Sequence, residues 1–249
     1  MKLVAMLRIK NQIQTIDECL SRLSDLVDEI VIVDNGSTDG TLDVYKKFPK
    51  IVSVEKTIGF DEGRDKILAH KLAKKRNPDW ILWIDGDEVF EKSLTRKHLD
   101  EYMRKTKVDV VWFRLFHFWK SKKRFRIDGK WLFYTSQPQR VLWRNVPEAY
   151  FKNIKFHNGA ILGLKGKQQI STYRLKHFGY LNSLQLKQKF QTYDKLRADP
   201  MAKKTMSHND EGLRTIPFIE FTKLTWLERT LTDLCLRLYS LLRSLHQAI

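Results

Sequence analysis

Cysteine is nearly absent: Cys19 and Cys235 are the only two in 249 residues. So few exclude a disulfide framework and a cysteine-built zinc site, and they suit a reducing, cytosolic compartment. Glycine and proline are sparse, at 11 and 6 residues, and there is no low-complexity tract or internal repeat. No stretch approaches 18 consecutive apolar residues, which excludes a spanning helix. The first apolar run, Leu3 to Leu7, is too short for a secretory h-region, and no small-residue cleavage site follows it, so the expectation is a cytoplasmic chain. Negative charge is also in short supply. Lys and Arg number 46 against 29 Asp and Glu, a formal net charge of +17. That surplus should attract polyanions: nucleic acid, an anionic lipid surface or a phosphorylated substrate.

Core-forming material is present. At 42% hydrophobic and 12% aromatic, the chain can bury a sizeable interior, and intrinsic disorder is excluded for most of it. The first half alternates strands and helices. Leu3–Leu7, Glu29–Val33, Ile51–Val54 and Trp80–Ile84 read as strands. Between them lie a helix from Ile16, with Thr15 as cap, a short helix after Thr41, and a helix from about Asp61 to Arg76 that Asn77-Pro78 ends. Ser93 reads as the cap of a further helix. This order predicts an α/β fold with a mostly parallel sheet and helices on both faces. From Val108 the pattern changes to long aromatic strands, with pieces at Trp131–Phe133 and Val141–Trp143. They predict an antiparallel extension. Residues 182–197 read as a helix and 198–217 as a loop. The expected division is 1–200, with halves 1–107 and 108–200, followed by an amphipathic helix over 218–249.

Two apolar strands end in aspartate. One is Val31-Ile32-Val33-Asp34; the other is Leu82-Trp83-Ile84-Asp85, continuing into Gly86-Asp87-Glu88. In an open parallel sheet, ligands bind outside the carboxyl ends of the strands. An acidic cluster there is costly unless something satisfies it. Hard carboxylate oxygens suit magnesium or manganese, completed by substrate phosphates. The competing interpretation is an acidic surface turn with Glu88 exposed.

Four segments in order carry a family resemblance. They are Arg8-Ile9-Lys10-Asn11-Gln12, then Asp28 through Thr41 with Asp34-Asn35-Gly36-Ser37 at its centre, then Gly59-Phe60-Asp61-Glu62-Gly63-Arg64-Asp65-Lys66, and Trp80 through Glu88. Together they resemble family 2 glycosyltransferases of the GT-A fold, in the branch of small bacterial-type enzymes that add sugars to lipopolysaccharide core. The resemblance implies a nucleotide-sugar donor held by Asn11, Asp34, Asn35, Gly36, Ser37, Arg64, Asp65, Asp85 and Gly86. It implies Mn2+ or Mg2+ on Asp85 and Asp87, with the late His177 of Leu175-Lys176-His177-Phe178-Gly179-Tyr180 as a further ligand. Relatives often carry Arg-Asn where Arg64-Asp65 stands here.

An inverting transferase needs a base to take the acceptor hydroxyl's proton. Relatives often have a His-Glu pair where this chain has His157-Asn158, and Asn158 cannot act as a base. Glu148, Asp128 and His157 are the candidate substitutes, with Glu148 first. The acceptor implied is a glycan or a lipid-linked glycan.

Leu224, Leu227, Leu231, Leu234, Leu238, Leu241 and Leu245 repeat at spacings of three and four, a continuous helical seam. It could pack on its own domain, pair with a second copy, or lie in an anionic membrane interface. The alternative to an enzyme is a basic binding module for membrane or nucleic acid on a transferase-like scaffold. Nucleic acid is disfavoured, because the aromatics sit on buried-looking strands and are not interleaved with lysines.

Overall fold

A computed structural model of the chain describes residues 1–128, 131–155, 161–182, 214–220, 227 and 230–238. In order, the elements are β1 (Leu3–Ile9), α1 (Ile16–Ser24), β2 (Glu29–Asp34), α2 (Thr41–Tyr45), β3 (Ile51–Lys56), α3 (Glu62–Lys74), β4 (Trp80–Asp85), β5 (Glu88–Phe90) and α4 (Arg96–Met103). Then follow β6 (Val108–Trp119), β7 (Arg124–Arg126), α5 (Trp131–Ser136), β8 (Pro138–Arg144), β9 (Lys167–Tyr180) and β10 (Thr215–Pro217). They fall into two compact units. The first holds Met1–Phe90, Leu94–Phe113 and Gln139–Ser171; the second holds Glu91–Ser93, Arg114–Pro138 and the described residues from Thr172 on. The halves expected either side of residue 107 do not coincide with these units.

The first unit is the α/β sheet that the alternating pattern predicts. β3, β2, β1 and β4 lie side by side and parallel, and β8 continues the sheet antiparallel beyond β4. The apolar runs of β1, β2 and β4 are buried on both faces, as central parallel strands are. β3 is the edge, and Val52 and Val54 on it are exposed.

Register decides which face each side chain takes, because residues paired across a parallel ladder point the same way. Arg8 pairs with both Val33 and Asp85, whereas Ile9 pairs with Asp34. Val4, Met6, Val31, Val33, Ile81 and Trp83 therefore share one face with Arg8 and Asp85. Ala69, Leu72 and Ala73 of α3 pack in that cluster. Asp34 lies on the opposite face.

The Asp61 carboxylate accepts the Arg64 N–H at 2.9 Å and so caps α3. The helix needs Gly63 at its start. A Cβ there would lie 2.6 Å from the backbone N and O of Ile154, where the 152–155 segment crosses it.

Four local expectations are corrected. Trp131–Phe133 is helical, within α5, because Trp131 and Thr135 bury one helical face; a short apolar run does not reveal its period. The helix expected from Ser93 starts at Arg96, with Thr95 and His98 forming its capping box. Leu94, fully buried, has to be seated before the chain can turn. Thr15 precedes α1 but makes no side-chain cap; its hydroxyl donates to Gly86 O at 3.0 Å. Thr215–Pro217, within the stretch read as a loop, pairs with β7. The helix expected over 182–197 lies outside the described residues except for Asn182.

The second unit is aromatic. β10, β7 and the later half of β6 lie in that order. Phe116, Phe118, Phe125, Phe178 and Phe218 meet at centroid separations of 4.9 to 6.2 Å. Trp119, Trp131 and Tyr180 form a neighbouring cluster. Glu91 and Arg174 form a buried ion pair at 2.8 Å.

Residues 230–238 are helical. Asp233 is held there by Arg114 and by Arg237. Leu227, Leu231, Leu234 and Leu238 are 57%, 49%, 48% and 50% exposed. At 100° per residue they fall within an arc of about 60°, on the side away from Asp233 and Leu236. Of the three packings open to the seam, burial on its own domain is not seen for these four leucines. No described helix is long and apolar enough to cross a membrane.

Candidate functional site

The carboxyl ends of β1, β2 and β4 carry the cluster. β4 ends at Asp85, Gly86 and Asp87 turn, and β5 starts at Glu88. Asp87 is 5% exposed and Glu88 fully buried. An oxygen of each lies within 4.8 Å of the other. Glu88 Oε2 accepts the Asp85 N–H at 3.0 Å, which braces the turn. The surface-turn interpretation, with Glu88 exposed, is thus excluded. Gly86 is needed for space and not for a left-handed turn: a Cβ would sit 3.3 Å from Gln12, Ile16 and Ile9. The cluster projects its charge into α1, where burial first, and then Glu88, Asp87 and Asp85, push the Cys19 thiol well above its ordinary range.

Asp34 is fully buried. Its carboxylate accepts the Ser37 N–H at 2.7 Å and the Tyr45 hydroxyl at 2.8 Å. Asp34 thereby shapes the 35–37 loop from below, and Gly36 crosses that loop at φ +71°. Asn11, at φ +50°, clips the same loop: its N–H donates to Ser37 Oγ at 2.9 Å, and its Oδ1 accepts Thr38 N–H at 2.8 Å.

Asn35 Nδ2 donates to Thr57 Oγ1, Gly59 O and Asp65. Asp65 is buried and takes the Arg64 Nε–H at 2.9 Å, while Arg64 Nη1 and Nη2 hold Ile58 O and Gly59 O. Asp65 thus orients Arg64, and both secure the 57–60 loop beside the strand ends.

Of the base candidates, Glu148 stands away from this edge. Glu148 follows β8 at the other end of the sheet, just past Asn145, which bonds Asp79 O and Pro78 O ahead of β4. It is exposed, so its placement as first candidate is corrected: antiparallel β8 carries the chain away from the carboxyl edge. Asp128 belongs to the second unit and pairs with Arg126 at 2.7 Å. Burial raises its carboxyl pKa, but Arg126 and the Arg214 N–H outweigh that and hold it below the usual range, which makes it a poor proton acceptor. His157 lies outside the described residues. His177, also in the second unit, is buried, and its Nδ1 faces His117 Nδ1 at 2.9 Å.

Two features escaped the sequence reading. Buried Glu88 was signalled by Glu88-Val89-Phe90-Glu91, an acid running into an apolar pair. Lys66 is buried beneath the sheet edge, bonded to Glu62 at 2.9 Å with its ammonium 3.8 Å from the Trp83 ring centroid; nothing local distinguishes it from other helix lysines.

Several known proteins are similar to this chain. The curated protein SunS, an SPbeta prophage-derived glycosyltransferase of Bacillus subtilis, is 27% identical over 165 residues, 61% of this chain and 38% of SunS. An uncharacterized glycosyltransferase of Rickettsia felis is 32% identical over 93 residues, 37% of this chain and 31% of that protein. The chain therefore spans about a third of the length of these relatives. Among solved structures, S. aureus TarS matches with TM-score 0.48 and 18% identity, covering 71% of this chain and 36% of TarS. Glucosyl-3-phosphoglycerate synthase of Mycobacterium tuberculosis, solved with Mn2+, UDP and glucosyl-3-phosphoglycerate, matches with TM-score 0.40 and 15% identity, covering 57% of this chain and 56% of that one. The model of glycosyl transferase family 2 matches residues 7–161, a span that runs from the carboxyl end of β1 through the Asp85–Glu88 turn, and on this ground the chain belongs to glycosyl transferase family 2.

Proposed function

We propose that the chain moves a sugar from a nucleoside-diphosphate donor to a hydroxyl of a glycan or lipid-linked acceptor, with inversion, at the carboxyl edge of β1, β2 and β4. The observation that carries this is the buried Asp87–Glu88 pair directly after an apolar strand. Two carboxylates so close and so poorly solvated repel each other, and a divalent cation relieves that cost. Their hard oxygens fit Mn2+ or Mg2+. Asp85 and Asp87 would hold the ion, with Glu88 bracing the turn. When bound, the ion supplies Lewis-acid stabilisation of the departing diphosphate.

His177 stays the proposed further ligand, on the resemblance of its segment. Its contact with His117 bears on this. If His177 donates its Nδ1–H to His117, its Nε2 carries the lone pair that a metal needs; in the reverse tautomer pair that nitrogen is protonated. Asp34, Asn11, Asn35 and Ser37 act by fixing the loop that the donor base would meet, and Asp65 by holding Arg64. Of the base candidates, His157 is the one we retain. For the acceptor, the +17 charge and the outward leucines of 227–238 support docking at an anionic lipid surface.

The test is release of nucleoside diphosphate from a panel of nucleotide sugars by the full chain, with and without Mn2+. Metal-dependent release that drops at least about a hundredfold in Asp87→Asn, with an unchanged melting curve, is expected. Release at the wild-type rate by that variant sinks the assignment. No release with any donor favours the binding module.

A further inference from the structure

Arg8, the last residue but one of the central strand β1, lies beside Asp85, on the face that α3 covers. Five other arginines of the same unit are committed. The guanidinium groups of Arg22, Arg64, Arg76, Arg96 and Arg144 all make hydrogen bonds within the first unit. Arg8 differs. Its Nε is buried without a hydrogen-bond partner among the described residues. Its nearest acid, Glu62, stands 3.9 Å from Nη2, too far for a hydrogen bond, and already holds Lys66 at 2.9 Å. Phe60 lies 5.5 Å from Cζ by its ring centroid. The side chain remains 21% exposed.

A desolvated N–H with no acceptor lowers the stability of the fold. Such a cost persists where a ligand supplies the missing acceptor. The planar fork of arginine matches a phosphate oxygen pair, and the carboxyl edge of a parallel sheet is where a phosphate-bearing ligand approaches. The geometry points to Arg8 as a phosphate-binding residue, pairing with the diphosphate of the donor at the edge that also carries Asp85. This rests on the reading of that edge as the donor site. It also gives the motif Arg8-Ile9-Lys10-Asn11-Gln12 a chemical role, in which Asn11 orders the loop and Arg8 meets the ligand.

The experiment is calorimetric titration of the full chain with uridine, guanosine, adenosine and cytidine, and with their diphosphates, in the presence of Mn2+. Arg8→Gln and Arg8→Lys are compared with wild type. We expect Arg8→Gln to weaken the bound diphosphate about tenfold or more, to leave its parent nucleoside unchanged, and to melt at or above the wild-type temperature without ligand. Arg8→Lys should recover part of the loss, since it restores charge without the fork. A diphosphate bound equally well by Arg8→Gln overturns the role of Arg8 alone. So does an equal loss of nucleoside and diphosphate, or a lowered melting temperature, because either marks a structural residue. A wild-type chain that binds no diphosphate overturns the donor site itself, and Arg8 with it.

Discussion

Asp34 and Asp85 end strands on either side of β1, yet they point to opposite faces of the sheet. Asp34 is in register with Ile9, and Asp85 with Arg8. One residue of register separates a carboxylate spent on the fold from one of the two proposed metal ligands. Asp34 goes under Tyr45 and the 35–37 loop; Asp85 stays at the edge, next to Arg8, Asp87 and Glu88.

Tyr45 is accordingly a stability residue of this loop. Burial and then the Asp34 carboxylate push its phenol well above the ordinary range, so it stays a donor at all working pH. Tyr45→Phe removes that donor and leaves a buried carboxylate oxygen short of a partner. The expected loss is about 1–3 kcal/mol of unfolding free energy, read as a lower urea midpoint. An unchanged midpoint would mean that water serves Asp34 equally well.

His70 makes the first unit acid-sensitive. It sits between Trp143 and Phe151. Burial, helped by Lys74, lowers its pKa from 6.5 to about 4. The native state thus binds this proton later than the unfolded chain does. Its contribution is complete above pH 6.5 and is lost as pH falls from 6.5 through about 4. The loss amounts to about 3 kcal/mol. His70→Phe should flatten the stability profile across that window. An equal slope in both proteins would assign it to other groups.

The two cysteines should differ sharply in reactivity. Cys235 is exposed, and Cys19 is buried with its thiol pKa raised by burial and by the acidic turn. A disulfide reagent at neutral pH should titrate one thiol in the native chain and two after denaturation. Rapid reaction of both would show that α1 opens readily over the Asp85–Glu88 turn.

The leucine stripe gives a membrane test. The full chain should float with anionic vesicles and not with neutral ones, and Leu231→Asp combined with Leu238→Asp should abolish flotation while leaving the melting curve in place. Equal flotation by the double variant argues against the lipid docking proposed here. So would a wild-type dimer that the substitutions split, which would assign the seam to a second copy.

Much of the first unit was legible in the sequence because its signals are local. The apolar runs of β1, β2 and β4, Asn77-Pro78 after α3 and the acidic cluster after Ile84 need only neighbouring residues to be read. The aromatic second half was less legible. Trp131–Phe133 is too short to show a period, and the polar start of β9 at Lys167-Gln168-Gln169 hides a strand whose burial comes from distant partners. Glu148 misled because its local setting says nothing about the direction in which β8 runs.

By itself the sequence determined the alternating α/β order, the carboxylates at the strand ends and the family motifs, since each depends on residue type and spacing along the chain. Tertiary structure alone decided which of those carboxylates faces the proposed donor edge, that Glu88 is buried, that Asp65 holds Arg64, and that the Arg8 Nε has no hydrogen-bond partner among the described residues. Those outcomes depend on strand register and on partners far away in the chain, and pairing across a sheet is not written in any one strand.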